Sequence, residues 1–126
     1  MTGERLQRVA VIEDNPDNRL LVRAILEDHY ELTEFDSGRA ALAAMPDDPP
    51  DAILLDISLP EMDGTEVLGA IRETAVLRDL PVIALTAHAM VGDRERFLAA
   101  GFDEYVSKPI LDPDRLIAAV RALFAR

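Results

Sequence analysis

Glu13, Asp14 and Asp56 are carboxylates that each close an apolar run, and Thr86 is a hydroxyl in the same kind of place. Lys108 is the single lysine in a chain whose other twelve basic residues are all arginine. These five residues are scattered over the length of the chain, yet brought together they would make a specific kind of site. Two like charges about 4 Å apart repel by roughly 4 kcal/mol at an effective dielectric near 20. Three carboxylates therefore stay ionised side by side only if something positive compensates them. An oxygen-rich acidic pocket with an incomplete protein shell suits Mg²⁺, which keeps several waters and takes a phosphate oxygen as a further ligand. Mn²⁺ suits the same donors. In the absence of the ion, one carboxylate is expected to hold its proton well above the usual range. Taken alone, acidic residues after a strand open a solvated loop or cap a helix. It is Asp56 and Lys108 landing beside Glu13 and Asp14 that gives the cluster its chemical meaning.

The elements that must position these groups follow from the spacing of apolar residues. Five short runs read as strands: residues 8–13, 31–35, 52–56, 81–86 and 104–107. The first, third and fourth are nearly continuous in apolar residues, as expected for parallel strands covered on both faces. Helical segments alternate with them. Asn15 and Pro16 read as N-cap and first helical residue, leading to Leu20, Leu21, Ala24 and Ile25 on one face. Ser37 caps a short helix through Ala40, Leu42 and Ala43 that stops before Pro46, with residues 46–50 a loop. Asp63 and Glu66 resemble a capping box, opening a helix with Val67, Leu68 and Ile71 inward. A fourth helix is predicted from about Met90 to Ala100, ended by Gly101. Asp112 and Pro113 open the last, whose stripe is Leu116, Ile117, Val120, Leu123 and Phe124. The predicted fold is α/β, a (βα)5 doubly wound parallel sheet with strand order 2-1-3-4-5. Ligands of such sheets bind outside the carboxyl ends of the strands, at the switch point between the first and third. All five candidate residues fall on that edge.

Composition narrows the function classes. The 126 residues suffice for one domain with a real core, and hydrophobic and charged fractions of 49% and 29% are ordinary for a globular protein. A formal net charge of −11 argues against nucleic acid. The lack of cysteine excludes disulfides, thiolate metal centres and cysteine nucleophiles. No apolar stretch reaches membrane-spanning length and no secretory signal is visible, so a cytoplasmic location is expected.

Four segments together resemble the receiver domains of bacterial two-component response regulators: Val11–Asn15 (VIEDN), Leu55–Gly64 (LDISLPEMDG), Val82–Ala87 (VIALTA) and Ala100–Pro109 (AGFDEYVSKP). The resemblance runs from about Leu6 to the end of the chain. It implies a flavodoxin-like single receiver domain over residues 1–126 with no output domain. It also implies a signalling phosphoacceptor rather than an enzyme, which assists its own phosphorylation and dephosphorylation. Asp56 would accept the phosphoryl group. Glu13 and Asp14, with Asp56 and the backbone carbonyl of Ser58, would hold Mg²⁺. Lys108, the Thr86 hydroxyl and the Ala87 backbone N–H would contact phosphoryl oxygens. A lysine suits that role as a compact point charge. Thr86 and Tyr105 would form the switch, with Tyr105 otherwise an edge-strand aromatic whose hydroxyl meets water. Ser58 and His88 sit where dephosphorylation is modulated. Lys108–Pro109 would be a cis peptide, within normal reach only for X–Pro. The implied partners are a sensor histidine kinase or histidine phosphotransfer protein, and a downstream protein docking on the fourth helix, fifth strand and fifth helix. The state would be monomeric, or a weak phosphorylation-dependent dimer.

Within the family, the chain also fits a receiver cut from a hybrid sensor histidine kinase. From other classes, a flavodoxin-like cofactor binder needs a hydroxyl-rich phosphate loop after the first strand, where this chain has Glu13-Asp14-Asn15-Pro16-Asp17. A haloacid-type phosphatase wants a second Asp two residues after its nucleophile, where this chain has Ser58. His29 reads as a surface residue near a helix end, and Met62 and Met90 as loop and packing residues. Arg94, Arg96, Arg115 and Arg121 read as a solvated face.

Overall fold

Three nearly unbroken apolar strands need cover on both sides, and the chain supplies it by placing helices on both faces of one parallel sheet. The computed structural model describes residues 7–87, 92–108, 110 and 112–125. Its elements are β1 (Arg8–Ile12), α1 (Pro16–Leu26), β2 (Glu31–Phe35), α2 (Gly38–Ala44), β3 (Ala52–Asp56), α3 (Gly64–Glu73), β4 (Val82–Thr86), α4 (Asp93–Ala100), β5 (Glu104–Ser107) and α5 (Pro113–Phe124). The strands lie in the order β2-β1-β3-β4-β5, all parallel, as the sequence predicts. β3 and β4 are buried at every residue. Their alternate side chains feed two cores. Ala10, Ile12, Ile53, Leu55, Val82 and Ala84 pack with residues of α2, α3 and α4. Val9, Val11, Leu54, Ile83, Leu85 and Val106 pack with α1 and α5.

Helix starts follow their chemistry. The Asn15 side chain accepts from the backbone N–H of Asp17 and Asn18, ahead of Pro16 in the first turn. Ser37 accepts from Ala40 N–H. Asp63 and Glu66 close a complete capping box. Asp112 accepts from Asp114 N–H ahead of Pro113. Gly101, at φ 114°, ends α4 in the left-handed conformation that suits a glycine.

Three expectations need correction. The face that α1 buries carries Val22 and Leu26, whereas Leu20 is 60% exposed and Leu21 38%. Apolar residues occupy nearly every position from 20 to 26, so periodicity alone does not choose the buried stripe. The short helix after Ser37 runs as expected through Ala40, Leu42 and Ala43, and it buries Gly38 and Ala41 because α2 packs on α3 through a glycine. Pro46 lies in a short 3₁₀ turn, Met45–Asp47, instead of an irregular loop, and Met45 is buried in the core. Within the described residues α4 begins at Asp93, with Gly92 as its N-cap at φ 89°.

Close approach explains Gly64. A Cβ there would lie 2.7 Å from the Ile57 Cα and 2.8 Å from the Asp56 carbonyl oxygen. Both are backbone atoms, so nothing flexible can give way. Gly64→Ala is expected to cost about 2 kcal/mol, the size of an overpacked core substitution, measured by urea unfolding.

The open side of β5 is occupied at its second residue. Tyr105 N–H donates to the Glu104 carboxylate, and the Tyr105 carbonyl accepts from Arg115 at 3.0 Å. Arg94 in turn pairs with Glu104. Arg94, Arg96, Arg115 and Arg121 are exposed, as is His29, and Met62 packs against the core.

Candidate functional site

The register sets the site. Ile12 pairs with Leu55, so Glu13, one step beyond, lies level with Asp56. Asp56 pairs with Leu85, and Thr86 with Ser107, which brings Lys108 to the same edge. The Lys108 backbone N–H donates to the Thr86 carbonyl at 2.7 Å, fixing where its side chain starts.

Glu13 and Asp56 are buried, at 1% and 2% exposure. Lys108 Nζ lies 3.1 Å from Glu13 Oε1 and 3.1 Å from Asp56 Oδ1. Asp56 Oδ1 also accepts from Ser58 N–H at 2.9 Å, and Glu13 Oε2 from Asn15 N–H at 3.2 Å. Asp14, adjacent to this pair, is exposed, and the three carboxylates each offer an oxygen within 4.8 Å of the others. One ammonium thus sits against two of three clustered carboxylates. Burial, aided by the neighbouring Asp56, pushes Glu13 up to about 7. Burial also raises Asp56, but the hydrogen bond with Glu13, the Ser58 N–H and Lys108 outweigh it and hold Asp56 below the usual carboxylate range. Burial beside a second carboxylate thus favours the protonated form of Glu13, while Ser58 N–H and Lys108 favour the ionised form of Asp56. Burial lowers Lys108, yet the two carboxylates overcome it and keep the ammonium charged.

Three clustered carboxylates against one ammonium leave negative charge uncompensated. Oxygen donors, partial exposure through Asp14 and excess negative charge are what a hard divalent cation requires, so the residues fit Mg²⁺.

The Glu13 proton also links stability to pH. Glu13 in the folded chain holds a proton that the unfolded chain releases near 4.5, so stability is full below that pH and falls as pH rises through about 7. Asp56, with its lowered value, acts in the opposite sense at lower pH. In chelator, urea unfolding from pH 5 to 8 is expected to show a decline of up to about 3 kcal/mol. Glu13→Gln should flatten that slope and be the more stable protein at pH 8.

The other candidate residues are placed as follows. Thr86 is buried at the end of β4, and Ala87 follows it, exposed. Tyr105 stands outside the acidic cluster. Its ring is half-buried against Phe97 of α4, with centroids 5.9 Å apart. His88, Met90 and the Lys108–Pro109 peptide lie outside the described residues. Sequence reasoning missed Arg19, whose Nη1 donates to the Glu13 carbonyl at 2.8 Å and the Asp14 carbonyl at 3.3 Å. Its signal was a cation in the first helical turn, where the helix dipole disfavours one.

Residues 9–121 match the response regulator receiver domain model. The polar-differentiation response regulator DivK of Brucella ovis is 43% identical over 115 residues, spanning 90% of this chain and 93% of DivK. The sensor histidine kinase GacS of Pseudomonas protegens is 41% identical over 112 residues; these cover 86% of this chain but 12% of the kinase, so the chain is similar to one part of it. Among solved structures, the receiver domain of sensor histidine kinase PA1611 from Pseudomonas aeruginosa, crystallised with a magnesium ion in its active-site cleft, superposes with a TM-score of 0.85. It is 34% identical, over 96% of this chain and 99% of that one. A family match over most of the chain, with the family's strand order beneath it, makes this protein a member of the response regulator receiver domain family.

Proposed function

We propose that the chain is a single-domain phosphoacceptor of two-component signalling, in which Asp56 takes a phosphoryl group from a partner's phosphohistidine. The observation that carries the reading is the Lys108 ammonium 3.1 Å from both Glu13 and Asp56, with Asp14 beside them. An Asp56 carboxylate oxygen forms a bond to phosphorus as the phosphorus–nitrogen bond of the phosphohistidine breaks. The electron pair of that bond returns to the imidazole ring. Asp56 suits the task because its carboxylate stays ionised and is oriented by Ser58 N–H and Lys108. Lys108 is placed to neutralise charge on a phosphoryl oxygen, and Thr86 and the Ala87 N–H stand at the neighbouring strand end to meet others. Glu13, Asp14, Asp56 and the Ser58 carbonyl would hold Mg²⁺, or Mn²⁺ in its place. The ion supplies charge stabilisation and orientation of the phosphoryl oxygens.

On this reading residues 1–126 form one receiver domain, and the protein signals by altered contacts instead of by turning over a substrate. Thr86 and Tyr105 link the site to the face of α4, β5 and α5, where the downstream protein docks. Ser58 and His88 tune the lifetime of the phosphoryl group. The donor is a sensor histidine kinase or phosphotransfer protein, and the compartment is the cytoplasm. Among the described residues no helix is long and apolar enough to cross a membrane.

Incubation with a small-molecule phosphodonor, followed by intact mass and peptide mapping, tests the proposal. A phosphoryl group located on Asp56, formed with Mg²⁺ and absent in chelator, is the expected result. A phosphoryl group on another residue, or equal uptake in chelator, overturns it.

A further inference from the structure

A parallel strand that continues takes donors for its carbonyls from the strand beside it. β1 is paired with β2 as far as Ile12 and Phe35, and Glu13 N–H still donates to the Phe35 carbonyl. Beyond that point β2 has ended, and the chain turns toward Ser37 and α2. The Glu13 carbonyl is met instead by a side chain: Arg19 Nη1 donates to it at 2.8 Å, and to the Asp14 carbonyl at 3.3 Å. Arg19 stands in the first turn of α1, where the partial positive charge of the helix end disfavours a cation. What compensates it lies across the turn. Its Nε faces Glu34 of β2 at 3.7 Å, and Arg23, one turn further along α1, bonds the same carboxylate. Arg19 and Glu34 are both more than three-quarters buried, at 23% and 19% side-chain exposure. A chain of polar contacts thus runs from the edge strand, through Arg19, to the backbone of the two acidic residues.

We propose that Arg19 is a positioning residue: it anchors the turn between β1 and α1 by its carbonyls and so holds Glu13 and Asp14 in the geometry that binds the divalent cation. The inference rests on the reading of Glu13, Asp14 and Asp56 as the ion site. Its mechanical half, the anchoring of the turn, is separate from that reading. Groups that orient ligands from behind typically change metal affinity by 10- to 100-fold when removed.

The experiment compares the full-length wild type with Arg19→Met, Arg19→Lys and Arg23→Met. One measurement is Mg²⁺ titration by calorimetry; the other is amide hydrogen exchange at Glu13, Asp14 and Asn15 in chelator. Arg19→Met is expected to weaken Mg²⁺ binding about tenfold and to speed exchange at those three amides while leaving Val11 and Leu54 unchanged. Arg19→Lys, with its fork replaced by a point charge, should fall in between. Arg23→Met removes a charge from the same carboxylate without touching the turn, and should keep Mg²⁺ affinity within about twofold. Wild-type affinity in Arg19→Met overturns the proposal. An equal loss in Arg23→Met does too, since the effect would then be one of net charge. If the wild type itself takes up no Mg²⁺, the ion-site reading fails, and faster exchange at Glu13–Asn15 in Arg19→Met still supports the anchor. Unchanged exchange in that case overturns both.

Discussion

Asp56→Asn is expected to take up no phosphoryl group from a small-molecule donor in Mg²⁺, under conditions that convert the wild type. The substitution is nearly isosteric, and the side-chain oxygen can still accept from Ser58 N–H at the place where Oδ1 now does. What vanishes is the anionic nucleophile, since a neutral amide offers no comparable lone pair to phosphorus. The fold should not suffer. Glu13 and Asp56 are buried carboxylates side by side, and the Glu13 carboxyl is pushed up by that neighbour, so removing one carboxylate relieves repulsion in the ion-free protein. A urea midpoint at pH 8 equal to or above the wild type, with no mass gain, is the result to look for. Covalent uptake at the wild-type rate would remove Asp56 from the mechanism.

Lys108→Met produces the second large effect, and it has two readouts of different origin. Methionine keeps an unbranched stem in a side chain that is only 13% exposed, and deletes the charge 3.1 Å from both carboxylates. Loss of a preorganised group that stabilises developing charge should slow phosphoryl uptake by on the order of 10²-fold. Breaking a buried pair by removing one partner also costs about 3 kcal/mol, because two carboxylates then face each other uncompensated. That cost should be smaller at pH 5, where Glu13 carries its proton, than at pH 8. Uptake kinetics and unfolding at the two pH values separate the catalytic and the structural share. A variant as fast as the wild type would relegate Lys108 to a structural counter-ion.

Most of the fold was legible because its punctuation is local. Asn15-Pro16, Ser37, Asp63 with Glu66, and Asp112-Pro113 are caps that act within a few residues, and each starts a helix where its chemistry says. Apolar strands 52–56 and 82–86 can be buried only in the middle of a parallel sheet, which fixes the edge where the strand ends meet. The convergence of Glu13, Asp14, Asp56 and Lys108 follows from that topology, although 95 residues separate Glu13 from Lys108. What the sequence withheld is decided by tertiary packing. Leu20 and Leu21 look as apolar as Val22 and Leu26, and only the docking of α1 on the sheet selects between the stripes. Ala41, not its neighbours, is buried because Gly38 lets α2 approach α3, where a Cβ would meet Val67 at 2.5 Å. Arg19 escaped notice because its acceptors are backbone carbonyls, which no residue type advertises.

The occupied rim of β5 has a consequence for how this protein keeps company with itself. A short strand at the margin of a sheet is a template on which another chain can add a rung. At Tyr105 both main-chain groups are already engaged, the N–H by Glu104 and the carbonyl by Arg115. An approaching copy would have to displace a carboxylate and a guanidinium to bond the main chain of Tyr105, against mutual repulsion between molecules of formal charge −11. The same face therefore resists indiscriminate strand addition, and a protein that joins it must bring side chains complementary to that charge.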